Sequence, residues 1–388
     1  MKAIQTKFTV YSTTGKFWKS LLLTLPMSFI LFFFMSGGKP DFSDAGKTTA
    51  LLVTYVFFTL MFFLMLYTGR TDRYRAIIFI LFSIFMSISF TSFMVSARQA
   101  VSFNNADFLQ CKIPFCHMVI PMTIIPAALT KSIIFPGSII EGFAAISTMV
   151  VIWFGASIVL GRGFCSWGCF YGGWDDGFSR LKKKPLIKHI PSIYRLMPYA
   201  VLLLVVISAA ISLSPTYCNW LCPFKTVTEY EKVTNTETLI KTIIFLGLFI
   251  SLVIVLPILT RKRTQCGMFC PVGAFSSMFN KVSAFDVRID KSKCSECMKC
   301  AKVCPVDAIS ENNIRDGKVS ITCTRCGKCV DACSKSAIHY TIKGTAEGRH
   351  TSFARNLFLY TSFLFLAVFS SGSYIQALYH IFQWMHLA

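Results

Sequence analysis

At 388 residues, with 54% hydrophobic and only 15% charged side chains, the chain has a mean hydropathy of +0.58. That balance excludes an ordinary soluble domain. The formal net charge of +21 would suit a nucleic acid, but no nucleic acid partner is expected, because the charge follows the ends of apolar runs.

In chain order, seven runs are long enough to cross about 30 Å of hydrocarbon: residues 18–36, 49–68, 76–97, 139–160, 197–214, 239–259 and 355–376. The first follows Lys2, Lys7, Lys16 and Lys19 and ends at Ser36-Gly37-Gly38, which resembles a secretory leader. It has no A-x-A-like cleavage site and is expected to stay as an uncleaved span. With loops and the adjoining span ends assigned alternately to two sides, one side collects 31 of the 39 Lys/Arg and 11 of the 18 Asp/Glu. The positive-inside pattern makes that side cytoplasmic: 1–17, 69–75, 161–196 and 260–354. The extracytoplasmic segments are then 37–48, 98–138, 215–238 and the C-terminal tail. The expectation is a multi-pass protein of the cytoplasmic (inner) membrane, in contact with lipid, its N-terminus inside. Arg70/Arg73/Arg75, Lys182-Lys183-Lys184 and Arg261-Lys262-Arg263 read first as retention signals, with anionic lipid or an acidic partner as the alternative.

Residues 113–140 are apolar but broken by Pro114, Pro121, Pro126 and Pro136. Met118–Leu129 is too short to cross, so a re-entrant or interfacial hairpin on the outer face is expected, against a plain amphipathic surface loop. Residues 286–345 turn polar and basic, with strand-like stretches at Asp286–Ile289 and Val319–Thr322. A domain of that size is too small to be stable from its core alone, and bound metal would supply the difference. The expected organisation is a membrane domain over 1–285 with six spans and four cysteine pairs, a compact domain over 286–345, and a final span and tail over 346–388.

Sixteen cysteines carry the chemistry. Eight form two runs, Cys294-x2-Cys297-x2-Cys300-x3-Cys304-Pro305 and Cys323-x2-Cys326-x2-Cys329-x3-Cys333-Ser334, with the spacing of bacterial two-cluster ferredoxins. Three close thiolates cap one face of a cubane and the fourth crosses to the other cluster. Cys294, Cys297, Cys300 and Cys333 are therefore assigned to one [4Fe–4S] centre, and Cys323, Cys326, Cys329 and Cys304 to the second. Structural zinc is the alternative, but zinc motifs do not come as two tandem runs of four with this spacing.

The other eight form four pairs that alternate between the two sides. Cys165/Cys169 and Cys266/Cys270 fall inside; Cys111/Cys116 and Cys218/Cys222 fall outside. The separations of 101 residues between the inner pairs, and of 107 and 106 between the outer ones, suggest a duplicated unit. Two C-x3-C pairs at neighbouring span ends supply the four thiolates of one cubane; a four-cysteine zinc clamp is the alternative. The outer pairs can hold a fourth cluster or form one or two disulfides, depending on the compartment.

The inner pairs read Gly161-Arg162-Gly163-Phe164-Cys165-Ser166-Trp167-Gly168-Cys169 and Gln265-Cys266-Gly267-Met268-Phe269-Cys270-Pro271-Val272-Gly273. Together with the two ferredoxin runs they resemble the membrane polyferredoxins of the NapH, NosR and YccM type over roughly residues 139–345. Cys169 is followed by Phe170 where the family has proline. The resemblance implies electron transfer from quinol or cytoplasmic donors toward extracytoplasmic reductases, or a role in metal-centre assembly.

The fold class read from the chain is a polytopic α-helical membrane protein of seven spans with a cytoplasmic 2[4Fe–4S] ferredoxin domain. Its expected function is transmembrane electron transfer between a cytoplasmic, ferredoxin- or flavoprotein-like donor and a membrane quinone or an extracytoplasmic redox partner. The alternatives are a quinol dehydrogenase subunit feeding a partner reductase, and an assembly factor that reduces a metal or thiol in a target. No residue is expected to break a substrate bond. Lys291, Lys293, Lys299, Lys302 and Lys328 can steer an acidic donor or serve as ordinary surface. His117 reads as an interfacial polar residue, with a hydrogen bond to a cluster sulfur or a quinone headgroup as the functional alternative. Glu141 caps a helix or relays protons, Asp175 and Asp176 sit in a glycine-rich turn, and most of the 38 phenylalanines face lipid. Centres held only at opposite faces would be about 30 Å apart, too far for one tunnelling hop unless the pairs sit deeper.

Overall fold

The computed structural model describes residues 13–38, 42–98, 102–103, 117–131, 146–188, 190–228, 230–231, 233–345 and 351–385. Cys111, Cys116 and Glu141 lie outside the described residues.

Helices α1 (Thr13–Met35), α2 (Ala45–Thr68) and α3 (Thr71–Arg98) come first. Asp44 caps α2, its side chain accepting from the Lys47 amide at 3.1 Å, and Gly69 ends it with φ 75°. The short helix α4 (Ile120–Thr130) and α5 (Ile146–Leu160) follow, then α6 (Phe170–Phe178) and α7 (Met197–Ser212). Helix α8 (Thr236–Leu248) opens with a reciprocal Asn235/Thr238 cap and continues through wide turns at Phe249–Val255 to Thr260. After α9 (Pro271–Met278) come α10 (Lys299–Val303), α11 (Lys328–Ala332) and the long α12 (Thr351–Trp384).

Seven stretches among the described residues are long and apolar enough to cross a membrane: Lys16–Met35, Ala45–Thr68, Thr71–Ser92, Val150–Trp167, Ile193–Ser212, Thr236–Thr260 and Thr351–Trp384. The fourth runs on to Trp167, past the expected limit of 160, and so carries Cys165 within it. Helices α1, α2, α3 and α12 pack as one group, and α7 packs on α4 and α9. Some phenylalanines point inward: Phe58, Phe62, Phe79, Phe164, Phe358 and Phe363 are fully buried, while Phe29, Phe33 and Phe34 are exposed. Aromatic area that meets other aromatics edge-on adds to its burial, as in the Phe58–Tyr374 pair at 5.1 Å.

Short parallel strands β1 (Ser102–Phe103) and β2 (Tyr230–Glu231) pair with each other. The cysteine-rich segment is built on an antiparallel pair, β3 (Phe285–Ile289) with β4 (Ile338–Ile342), in the register Phe285↔Ile342 to Ile289↔Ile338. Alternate residues Phe285, Val287 and Ile289 face the core. Val319–Thr322 is not a strand; only a single bridge from Lys318 to Arg288 touches the sheet there. Tyr340 stacks on Phe358 at 4.1 Å, which seats the sheet on α12.

Two loops fold back into the bundle from opposite ends. After α8 the chain reverses at Arg261, in the left-handed region at φ 57°. The Thr264 hydroxyl then donates to the Leu252 carbonyl at 2.5 Å, which lies about 12 Å back from Thr260 at 1.5 Å per residue. After α7 the chain reverses at Leu213, φ 48°. The Thr216 hydroxyl comes within 2.7 Å of that of Ser208, about 6 Å back from Ser212. Main-chain bonds from Leu186 and Ile187 to the Leu259 carbonyl identify the first end as the one nearest the start of α7.

Candidate metal centres

Three cavities are lined by four cysteines each. Cys294, Cys297, Cys300 and Cys333 share one, with Met298, Lys299 and Ile338 beside them. Cys304, Cys323, Cys326 and Cys329 share the second. Each of these takes three cysteines from one run and one from the other. Cys165, Cys169, Cys266 and Cys270 share the third, which His117, Tyr171, Phe224 and Gln265 help enclose. Cys297 alone is exposed among the cysteines of these three cavities.

The local sequence explains how the thiols are presented. Cys169 and Cys270 are the extended residues immediately before α6 and α9. Pro271 supplies a helix start without needing a partner for its missing amide proton. The Gly273 amide donates to Cys270 Sγ at 3.4 Å, Ala308 to Cys304 Sγ at 3.2 Å, and Ala337 to Cys333 Sγ at 3.3 Å. Gly172 and Gly173 let α6 lie directly against α3: a Cβ at Gly172 would meet the Cys165 carbonyl at 2.5 Å, and one at Gly173 the Phe79 carbonyl at 2.3 Å. Phe170 reaches the Ser83 hydroxyl, which donates to its carbonyl at 2.5 Å. Cys169 therefore sits deep along α3, about 18 Å from Thr71 at 1.5 Å per residue.

Chemically these sites ask for a cationic core. Burial pushes the Cys270 and Cys323 thiols up to about 12, and holds the Cys266 and Cys329 thiols well above the usual thiol range. Thiolates gathered there are stable only when iron withdraws their charge. Among the described residues no three His, Cys, Asp or Glu side chains gather closely enough to hold a single ion. Thiols that surround a cavity without meeting at a point suit a cubane, whose ligands attach at separate corners, better than a tetrahedral zinc. Positive charge is also in place: Arg263 Nη2 donates to Cys266 Sγ at 3.4 Å and to the Cys165 carbonyl at 2.8 Å, and Arg162 Nη2 donates to the Cys266 carbonyl at 2.7 Å.

Several residues occupy places other than those expected. His117 is buried, not interfacial, and its Nε2 lies 3.2 Å from Cys169 Sγ. Asp175 and Asp176 lie inside α6, not in a turn, and both are fully buried. Asp175 Oδ2 accepts from the Cys266 amide at 2.7 Å, and burial pushes its carboxyl up to about 7. Arg75 and Arg263 are wholly buried within the protein.

The remaining pair is not far away. The turn Tyr217–Leu221, which carries Cys218 and precedes Cys222, packs against His117–Val119. The Tyr217 hydroxyl accepts from Gln265 Nε2 at 3.1 Å. Burial pushes the Tyr217 phenol well above the usual tyrosine range, and Cys222, Cys270 and Cys218 are neighbours close enough to add to the effect. Tyr217 thus lies between Cys218/Cys222 and Cys266/Cys270, the arrangement in which the pairs sit deeper than opposite faces about 30 Å apart. His117 directly follows Cys116 in the sequence.

The ferredoxin segment docks on this region through residues around its second cavity. Asn280 Nδ2 donates to the Cys323 carbonyl at 2.9 Å, and Lys262 Nζ to the Cys304 carbonyl at 2.7 Å and to Asp307 at 2.6 Å. The Asp331 carboxylate caps α3, accepting from the Thr71 and Asp72 amides at 3.0 and 2.8 Å. Trp167 Nε1 donates to the Arg325 carbonyl at 3.2 Å.

Comparison with known proteins follows the same cysteines. A family described as 4Fe-4S dicluster domain matches residues 286–334, and one described as 4Fe-4S binding domain matches 142–188, 195–232 and 243–290. The middle match contains Cys218 and Cys222. The ferredoxin-type protein NapH of Haemophilus influenzae is 24% identical over 216 residues, 54% of this chain and 71% of its own. The methylamine utilization ferredoxin-type protein MauN of Methylobacillus flagellatus is 28% identical over 173 residues, 44% of this chain and 58% of its own. YccM of Escherichia coli, an electron transport protein by name, is 27% identical over 206 residues, 49% of this chain and 54% of its own. No solved structure matches the chain at a significant level.

Proposed function

Because this chain is a membrane polyferredoxin of the NapH and YccM type that transfers electrons through [4Fe–4S] clusters, we propose that it conducts them across the membrane, from a cytoplasmic donor to a quinone or an extracytoplasmic acceptor. When bound, the clusters supply one-electron chemistry at potentials set by their surroundings. The chain's own residues do the rest.

Cys294, Cys297, Cys300 and Cys333 would hold the entry centre, where Cys297 is exposed to a donor. Lys299 and Lys335 on the rim of that cavity would attract an acidic one. Cys304, Cys323, Cys326 and Cys329 would hold the second centre, and Cys165, Cys169, Cys266 and Cys270 the third. Cys218 and Cys222, with Cys111 and Cys116, would hold a fourth toward the opposite end. Residues 1–285, 286–345 and 346–388 would act as membrane domain, ferredoxin domain and closing span, with the N-terminus and ferredoxin domain in the cytoplasm. The third cavity is walled by Phe164, Tyr171, Phe224 and Val272, which keep water from its thiols.

One observation carries this reading: loops entering from opposite ends meet through Tyr217 and Gln265 and through His117 and Cys169. These contacts bring Cys218 and Cys222 close to the third cavity, which supports transfer between them without a carrier. Iron analysis with EPR of the anaerobically purified full chain tests it. About sixteen irons per chain in four clusters is the expected result. Three clusters, with Cys218 and Cys222 blocked in a disulfide, would remove the outer centre from the path.

A further inference from the structure

Two buried guanidiniums, those of Arg75 and Arg263, lie against one aromatic ring, Phe79. Arg75 Cζ is 5.3 Å and Arg263 Cζ 5.6 Å from its centroid. Both arginines run from a loop of the second cysteine cavity to a loop of the third. Arg75 Nε donates to the Cys326 carbonyl at 3.1 Å and its Nη1 to the Ser166 carbonyl, between Cys165 and Cys169, at 3.0 Å. The Arg263 amide donates to the Pro305 carbonyl, next to Cys304, at 2.7 Å, while its guanidinium reaches the Cys165 carbonyl and Cys266 Sγ.

We propose that Arg75, with Arg263 as its counterpart, is the positioning residue that couples the second and third redox centres, holding their loops in register and providing the hydrogen-bonded path between them. The inference rests on the cluster assignments above.

Stability alone gives a poor account of Arg75. Burying a guanidinium among apolar helices carries a large desolvation cost, and apolar residues of similar volume often pack such a site at least as well. Here the charge is retained by a dedicated set of partners. Arg75 Nη2 donates to Asp72 Oδ1 and Asp176 Oδ2, both at 2.8 Å. Arg180 completes the set, at 2.7 Å from Asp72 and 3.2 Å from Asp176. What no apolar residue can do is donate two fixed bonds to the main chains of two cysteine loops. Lysine cannot do it either, since its ammonium is a point charge without a planar fork. Arg180 belongs to the same ion set but bonds neither cysteine loop, which makes it the internal control.

The test compares the full-length wild type with Arg75→Lys and Arg180→Gln, purified anaerobically, by iron content, by EPR of the reduced protein for spin–spin coupling between neighbouring clusters, and by the rate at which the third centre follows reduction of the second. Arg75→Lys is expected to keep its iron, lose or narrow the coupling splitting and slow the transfer several-fold. Arg180→Gln is expected to match wild type in both. Should Arg75→Lys lose iron, Asp176→Asn, which weakens the ion pair that fixes the Arg75 guanidinium and leaves both cysteine loops untouched, is measured instead and should show the same loss of coupling. Unchanged coupling and rate in an iron-replete Arg75→Lys or Asp176→Asn protein would overturn the inference. An equal defect in Arg180→Gln would overturn it too, by reducing the effect to general electrostatics. Absence of the third cluster from wild type would instead refute the functional reading, an outcome the iron count separates from these.

Discussion

His117 Nε2 lies 3.2 Å from Cys169 Sγ, joining the residue that follows one outer cysteine pair to a ligand candidate of the inner site. The contact is buried, with Phe164 edge-on to the imidazole at 5.3 Å and Tyr171 against it at 5.6 Å. A donor at a cluster sulfur stabilises the reduced, more negative state. Replacing His117 by Leu should therefore lower the third centre's midpoint potential. A hydrogen bond to a charged group is worth about 1.5 kcal/mol or more; about 1.4 kcal/mol is tenfold in an equilibrium, or roughly 60 mV for one electron. A shift of that order in an EPR redox titration, with iron content unchanged, is the expected outcome.

Tyr217 makes the second contact between the two loops. Tyr217→Phe removes the hydroxyl and leaves Gln265 Nε2 buried without an acceptor, a cost of about 1–3 kcal/mol. The variant should melt at a lower temperature yet still pass electrons, because the ring remains. Tyr217→Ala should both destabilise the protein and slow reduction of the outer centre, seen as delayed appearance of its EPR signal after reductant is added.

The two ferredoxin cavities divide the runs unevenly, and single substitutions can read this out. Cys304→Ser should damage the centre shared with Cys323, Cys326 and Cys329 and spare the one shared with Cys294, Cys297 and Cys300. Cys333→Ser should do the reverse. Spectra that lose the cluster of the substituted residue's own run would contradict the crossed assignment.

Iron in the two ferredoxin cavities should also hold the small domain together. Its core is one two-stranded sheet, β3 and β4, over buried Ile309 and Ile314. Anaerobic removal of iron should expose the amides of 285–289 and 338–342 to hydrogen exchange while α2, α3 and α12 stay protected. Asp331→Asn should loosen the same domain from α3, by about 1 kcal/mol for a weakened cap.

Much of this was legible from the chain. Seven apolar runs declare themselves because each must bury its backbone polarity within one segment, and the ferredoxin runs because a cubane dictates its ligand spacing. What composition could not convey was depth. Thr264 and Thr216 look like loop residues, yet each bonds far back along its preceding helix, and nothing in their neighbourhood signals the reversal except left-handed Arg261 and Leu213. Arg75 and Arg263 have the sequence signature of retention charges, because flanking arginines normally serve that way. Only the fold brings Asp72 and Asp176 to Arg75 and four acceptors to Arg263. Asp175 and Asp176 followed two glycines and so suggested a turn; those glycines instead let a helix pack closely against Phe79 and Ser83. His117 looked interfacial because its partner is 52 residues away.

The central claim is that electrons cross the membrane through the chain itself. The direct test uses quinone-free proteoliposomes of the full chain, with an impermeant reductant outside and an impermeant one-electron acceptor sealed inside, followed by the acceptor's absorbance. Oriented with the ferredoxin domain outward, wild type should reduce the enclosed acceptor, while Cys169→Ser and Cys222→Ser should abolish or strongly slow that reduction. Equal reduction in the Cys222→Ser vesicles, or none in wild type whose clusters are reduced, would contradict the account.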